Sequence, residues 1–221
     1  MLLNGPSLAP LAGGAANALV VLLHGVGANG ADLIDLAAYW RPDLSQTAFV
    51  SLNAPFPCDF APDRLQWFSV ADRTPAVLLQ GMRVAALSLD ATLDALLAER
   101  GLTDDRLALV GFSQGAMMAL HVGLRRRRRL AGIVAFSGAL RGGETLRAEI
   151  LSKPPVLLVH GEMDEIVPFA AMAEARSALE REGVPVAVLA RPRLGHAIDE
   201  VGLDAAGRFL RDALAPGVAA G

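Results

Sequence analysis

The chain has almost no means of cross-linking itself or holding metal through sulfur. Among its 221 residues only Cys58 is a cysteine, which excludes an internal disulfide and any multi-cysteine metal site. Cys58 stands between Pro57 and Asp59 in a proline-rich stretch with no helix behind it, so it reads as a structural or exposed thiol and not as a nucleophile. Charge is also scarce, at 19% of residues with a net of -3; that balance argues against nucleic acid as the main partner. No uninterrupted apolar run approaches the roughly 18 residues of a membrane span. The start, Met1 to Pro6, lacks the basic and apolar regions of a signal peptide. Stable membrane insertion is therefore not expected, and the default is a soluble cytoplasmic protein. No repeat or low-complexity linker divides the sequence. The expectation is one domain over residues 1–221 with an ordered core from about 18 to 215, flanked by loose Gly/Pro/Ala-rich ends at Asn4 to Asn17 and Pro216 to Gly221.

What the chain does have is apolar: 53% of its residues, with a mean hydropathy of +0.40. That excludes a disordered protein and points to a well-buried sheet. Near-continuous apolar runs occur at Leu19 to Leu23, Ala48 to Leu52, Leu107 to Val110, Gly132 to Phe136, Val156 to Val159 and Val184 to Leu189, as strands buried on both faces of a parallel sheet would require. Between them Pro75 to Arg100 carries Leu78, Met82, Ala85, Leu89, Leu93 and Leu96 at helical spacing, with Thr74 as N-cap, Pro75 in the first turn and Gly101 as the stop. Phe169 to Glu182 and Asp199 to Leu214 show the same helical character. The alternation predicts an α/β architecture: a mostly parallel sheet with helices on both faces. Asn53 to Asp63 is the one long irregular loop expected and a candidate wall of a pocket.

The residues with chemical meaning begin at Gly111-Phe-Ser-Gln-Gly115. They follow an apolar strand and open a helix, which places Ser113 on a strand-to-helix elbow, the position of a catalytic nucleophile. Glycines flank it because strand and helix must approach closely at a strained turn. Such a serine needs a base. His121 falls two turns along the following helix, and His24 and His160 each end a buried strand, where they orient loops. His196 lies in a loop between the last strand and the last helix, and it follows Ser113 in the Ser, acid, His order of elbow-bearing hydrolases. The acid is sought among Glu162, Asp164 and Glu165. Asp164 is favoured as a short carboxylate in a tight turn before Ile166, Val167 and Pro168. Oxyanion donors would be the N–H of Gln114, after the nucleophile, and that of Val26 in the Gly-rich turn after the first strand. That turn is not a nucleotide cradle, since neither Gly-Lys-Ser/Thr nor Gly-x-Gly-x-x-Gly is present.

Four motifs occur in order: Leu23-His-Gly-Val-Gly27, Gly111-Phe-Ser-Gln-Gly-Ala116, His160-Gly-x-x-Asp164-x-Ile-Val-Pro168 and Gly195-His196. With this set the chain resembles the phospholipase/carboxylesterase family of α/β hydrolases, which includes acyl-protein thioesterases, from about Leu19 to Leu214. The resemblance implies an α/β-hydrolase fold with no large lid domain. It also implies cofactor-free and metal-free hydrolysis of small to medium esters, thioesters or lysophospholipids, with Ser113, Asp164 and His196 as triad and the Val26 and Gln114 amides as oxyanion hole. Trp67 and Phe68, in Gln66 to Val70, match a Trp-Phe segment near the family's active site. They are candidate substrate contacts, with ordinary core aromatics as the competing reading. Departures are Ala116, where a third glycine is common, and Ala28-Asn29, in place of an acidic residue.

Two rival readings are a non-catalytic small-ligand binder of the same fold and a dienelactone-hydrolase-like enzyme, which would usually carry cysteine at position 113. A homodimer stays open. Arg125 to Arg129 reads as a solvated helix end favoured by the helix dipole, with docking to an anionic surface as the lesser alternative.

Overall fold

A computed structural model describes residues 1–215; the Pro216 to Gly221 end lies outside the described residues. The strands are β1 (Ser7–Leu8), β2 (Ala18–Leu23), β3 (Thr47–Leu52), β4 (Phe56–Cys58), β5 (Ala61–Gln66), β6 (Leu107–Phe112), β7 (Gly132–Phe136), β8 (Val156–Gly161) and β9 (Val186–Arg191). The helices are α1 (Gly30–Ile34), α2 (Ala37–Trp40), α3 (Pro75–Arg100), α4 (Gln114–Gly123), α5 (Leu146–Glu149), α6 (Ala170–Arg181) and α7 (Glu200–Leu214). Seven strands form an open sheet in the order β1-β3-β2-β6-β7-β8-β9. Every pairing is parallel except that of β1 with β3. The chain winds outward from β2 to β3 and then returns past β2 to β6, so the strand order reverses between β2 and β6. The carboxyl ends of strands at such a reversal form a natural crevice for a site.

Alternation along the strands divides the core into two layers. Leu19, Val21 and Leu23 of β2 and Leu107 and Leu109 of β6 face α3, α4 and α6. Ala18, Val20 and Leu22, with Ala108 and Val110, face the other side, where α2 and α7 contribute Ala37, Trp40, Leu203, Ala206 and Leu210. Successive side chains of a strand point to opposite faces, so a strand covered on both sides must be apolar at every position. Each fully buried leucine contributes about 1.5–3 kcal/mol.

Helix α3 has the predicted bounds and buries Leu78, Met82, Ala85, Leu89, Leu93 and Leu97 against the sheet. By length and composition this helix is apolar enough to cross a bilayer, although polar positions interrupt its apolar runs. Its apolar stripe is occupied by the sheet. Thr74 stands at the N-cap, but its hydroxyl turns to the Asp72 carboxylate and makes no cap bond.

Three expectations change. The Asn4 to Asn17 segment is not loose: β1 pairs with β3, Ser51 N–H donates to Pro6 O at 2.9 Å and Asn53 N–H to Asn4 O at 2.7 Å, which covers an otherwise open sheet edge. Asn53 to Asp63 is not irregular, since β4 and β5 form an antiparallel hairpin with a register shift at Pro57 and Cys58. Pro57 masked that strand in the sequence. The last strand begins at Val186 and not at Val184, because Pro185 has no N–H to donate; its carbonyl instead accepts from Val156 N–H at 2.9 Å.

Candidate active site

Ser113, at the carboxyl end of β6, has φ 54° and ψ -116° and immediately precedes α4. This backbone is strained for any residue with a side chain, and such strain persists only where the surroundings enforce it. Here they do: Ser113 N–H donates to Phe136 O at 2.9 Å, and a β-carbon on Gly115 would meet Leu23 O at 1.9 Å. The first turn of α4 therefore rests on the main chain at the end of β2, and only glycine fits there.

His196 arrives on the loop after β9. Its Nε2 lies 3.0 Å from Ser113 Oγ, and its Nδ1 lies 2.7 Å from Asp164 Oδ2. Asp164 is on the loop after β8. Of its neighbours in sequence, Glu162 and Glu165 are exposed whereas Asp164 is buried. Its Oδ1 accepts from the Ile166 and Val167 amides, each at 2.9 Å. Burial pushes the Asp164 carboxyl up, but hydrogen bonds from His196, Val167 and Ile166 outweigh it and hold it below the usual carboxylate value. An ionised Asp164 makes Nδ1 the protonated nitrogen of a neutral His196, leaving Nε2 to accept from the serine hydroxyl. Phe112 packs against the imidazole with ring centroids 4.9 Å apart.

Val26 follows β2, Gln114 follows Ser113, and both line one cavity of about 340 Å³ with Ser113. Among the described residues neither of their N–H groups donates to a protein acceptor. The cavity walls are mostly apolar, with Phe60, Phe68, Val70, Leu78, Met117, Ile166 and Val167, and two arginines, Arg73 and Arg141, complete them. Phe68 thus reaches the cavity. Trp67 does not: it is fully buried behind the wall, its indole N–H donating to His24 O at 2.9 Å. Its placement is that of a core aromatic, because the chain alternates sides at the end of β5.

Two features escaped the sequence reading. The Gln114 side chain clamps the Trp67-Phe68 segment, accepting from Trp67 N–H and donating to Phe68 O, both at 2.7 Å. A glutamine after the nucleophile carries no signal of this, since its partners lie more than forty positions upstream. His160 was expected to orient a loop, and its Nε2 does lie 2.9 Å from Val167 O; the same nitrogen also stands 3.2 Å from Asp164 Oδ2. The four-residue spacing of His160 and Asp164 across a strand end is the signal that was available. His24 ties two loops, with Nδ1 2.7 Å from Gly25 O and Nε2 accepting from Ala54 N–H at 3.0 Å.

Comparison with known proteins identifies the family. The family described as Phospholipase/Carboxylesterase matches residues 11–214. The chain belongs to the phospholipase/carboxylesterase family. Within it, the chain is 28% identical over 214 residues to acyl-protein thioesterase 1 of Neurospora crassa, covering 89% of this chain and 87% of that protein. It is 29% identical to esterase YpfH of Escherichia coli K12, covering 83% and 78%. The solved structure of esterase PE8 superposes with a TM-score of 0.93 at 44% identity, covering 97% of this chain and all of that one. Acyl-protein thioesterase 2 of Zea mays superposes with a TM-score of 0.78 at 25% identity, covering 96% and 99%. Family membership makes the protein an α/β-hydrolase of the ester-hydrolysing kind.

Proposed function

We propose that the protein is a serine carboxylesterase that works through an acyl-enzyme, with Ser113 as nucleophile, His196 as general base and Asp164 as the acid that orients it. The observation that carries the reading is the unbroken contact from Ser113 Oγ through the His196 ring to Asp164 Oδ2, at 3.0 and 2.7 Å, on a serine held at φ 54°. His196 Nε2 takes the Ser113 proton as Oγ attacks the ester carbonyl. The resulting oxyanion sits against the Val26 and Gln114 N–H groups, which are oriented before the reaction and cost no reorganisation. His196 then protonates the leaving alcohol or thiol, and water repeats the sequence to release the acid. Asp164 fixes the ring and stabilises its cationic form without taking a proton itself.

A mostly apolar cavity of about 340 Å³ supports a small to medium acyl or alcohol group. Esters and, given the thioesterases among its relatives, thioesters are the substrate classes proposed, handled by one catalytic domain. The test is pre-steady-state release of p-nitrophenol from a chain-length series of p-nitrophenyl esters, with Ser113→Ala alongside. A burst that the variant abolishes, with fluorophosphonate labelling of Ser113, supports the reading. Unchanged turnover in Ser113→Ala, or neither turnover nor labelling in the wild type, refutes it.

A further inference from the structure

The cavity beside Ser113 is lined by two arginines that the hydrolytic chemistry does not use, the partly buried Arg141 and the exposed Arg73. Arg141 is on the loop after β7, and Arg73 precedes α3. Among the described residues no acidic side chain lines the cavity and neither guanidinium pairs with a carboxylate. Arg83, Arg125, Arg126, Arg191 and Arg211 are each answered by an Asp or Glu, whereas several other arginines are not, and Arg41 shares with Arg141 a buried Nε without an acceptor among the described residues but lies outside this cavity. The Nε of Arg141 is shut off from solvent and has no acceptor among the described residues. A buried donor on a cation is costly when unanswered, and the fork it belongs to matches carboxylate and phosphate oxygens. Phe68, Val70, Leu78 and Met117 give the same space apolar walls, which lower the local dielectric and so strengthen a charge pair formed against them.

We propose that Arg141, with Arg73 beside it, is a specificity-determining anion site, so that preferred substrates are esters bearing a carboxylate or phosphate on the part the cavity holds. The inference rests on Ser113 being the nucleophile. A neutral ester fills the apolar walls and leaves the guanidinium unanswered; an anionic one satisfies both.

Two matched pairs test it, with acid release followed by pH-stat: monoethyl adipate against ethyl hexanoate, and 1-butyrylglycerol 3-phosphate against 1-butyrylglycerol. In at least one pair the charged member is expected to have the higher kcat/KM by about tenfold or more, and which pair responds separates an acyl-side carboxylate from an alcohol-side phosphate. Arg141→Met should bring that charged-to-neutral ratio close to one, and Arg141→Lys should keep part of it. Preference for the neutral member in both pairs overturns the proposal, as does a ratio that survives Arg141→Met and Arg73→Met. Calorimetry on Ser113→Ala separates this failure from that of the hydrolase reading, since it needs no turnover. Tighter binding of monoethyl adipate than of ethyl hexanoate, lost on adding Arg141→Met, upholds the anion site even if Ser113 is not a nucleophile; equal binding of the two overturns it.

Discussion

A β-carbon added to Gly161 would stand 2.4 Å from the carbonyl oxygen of Gly195. The end of β8 and the loop that carries His196 are therefore in main-chain contact, three residues before Asp164 on one side and one before His196 on the other. Gly161→Ala must push them apart, since both neighbouring atoms are backbone. Moving a catalytic group by about 1 Å can cost on the order of 10²-fold in rate, so kcat should fall by about that factor while the circular dichroism spectrum stays native. Wild-type kcat in this variant would mean that the loop yields and that its placement is not fixed by β8.

Asp164 is used as an acceptor on both oxygens: two amides on Oδ1 and the His196 imidazole on Oδ2, with His160 Nε2 standing 3.2 Å from that same oxygen. Asn at this position keeps the volume but presents one side as a donor, which favours the wrong His196 tautomer. Asp164→Asn should lower kcat by about 10⁴, whereas Glu162→Gln and Glu165→Gln, both exposed, should leave it within a few-fold. Steady-state kinetics on the three variants decides the acid; a crippled Glu162 or Glu165 variant beside an active Asp164→Asn would reassign it. The carboxyl is held below its usual value, so its stabilising contribution is present above the unfolded-state pKa and is lost only as pH falls through the depressed folded one.

The arginine run is not simply a solvated helix end. Arg127 to Arg129 are exposed, but Arg126 is only 8% exposed and reaches Asp104 and Asp94 at 2.6 Å and Asp90 at 2.5 Å, tying the end of α4 to α3 and to the turn before β6. Burial works against its charge, and the three carboxylates outweigh that and raise its pKa. Arg126→Leu removes the partner of the poorly exposed Asp104 and should cost about 3 kcal/mol in urea unfolding, against about 0.5 kcal/mol or less for Arg128→Ala. A fully stable Arg126→Leu would show instead that apolar packing replaces the network.

These cases mark what the sequence could and could not convey. The placements of Ser113 on an elbow and of His196 in a post-strand loop were legible because such backbone settings leave local traces in glycine placement and strand order. Asp164 could be favoured among three acids but was singled out only by motif resemblance, since burial decides it and burial comes from tertiary packing. Strands covered on both faces announced themselves as apolar runs; the β4-β5 hairpin did not, because its faces are half-exposed and it contains proline. Arg126 and the Gln114 clamp were hidden for the same reason: their partners lie twenty or more positions away, and nothing local distinguishes Arg126 from Arg127. The arginines of the cavity likewise gain meaning only from the carboxylates that fail to appear beside them.

His121 offers a test by pH. It is 3% exposed on α4, its Nδ1 has no partner among the described residues, and its pKa is pushed down to about 4 by burial, with the nearby Arg125 adding to the effect and Glu149 opposing it. In the unfolded chain the same imidazole titrates near its usual 6.5. Between those values the unfolded state binds the proton that the folded state refuses, so stability rises with pH across the window. The contribution is complete above about pH 6.5 and is lost as pH falls toward about 4. Urea midpoints should therefore decline through this interval, ahead of the lower range in which paired carboxylates titrate. His121→Leu removes the titrating group and the unpartnered nitrogen together, so its midpoint should fall less steeply and exceed that of the wild type at pH 5. Parallel curves for the two proteins would show that His121 reaches solvent readily enough to charge in place.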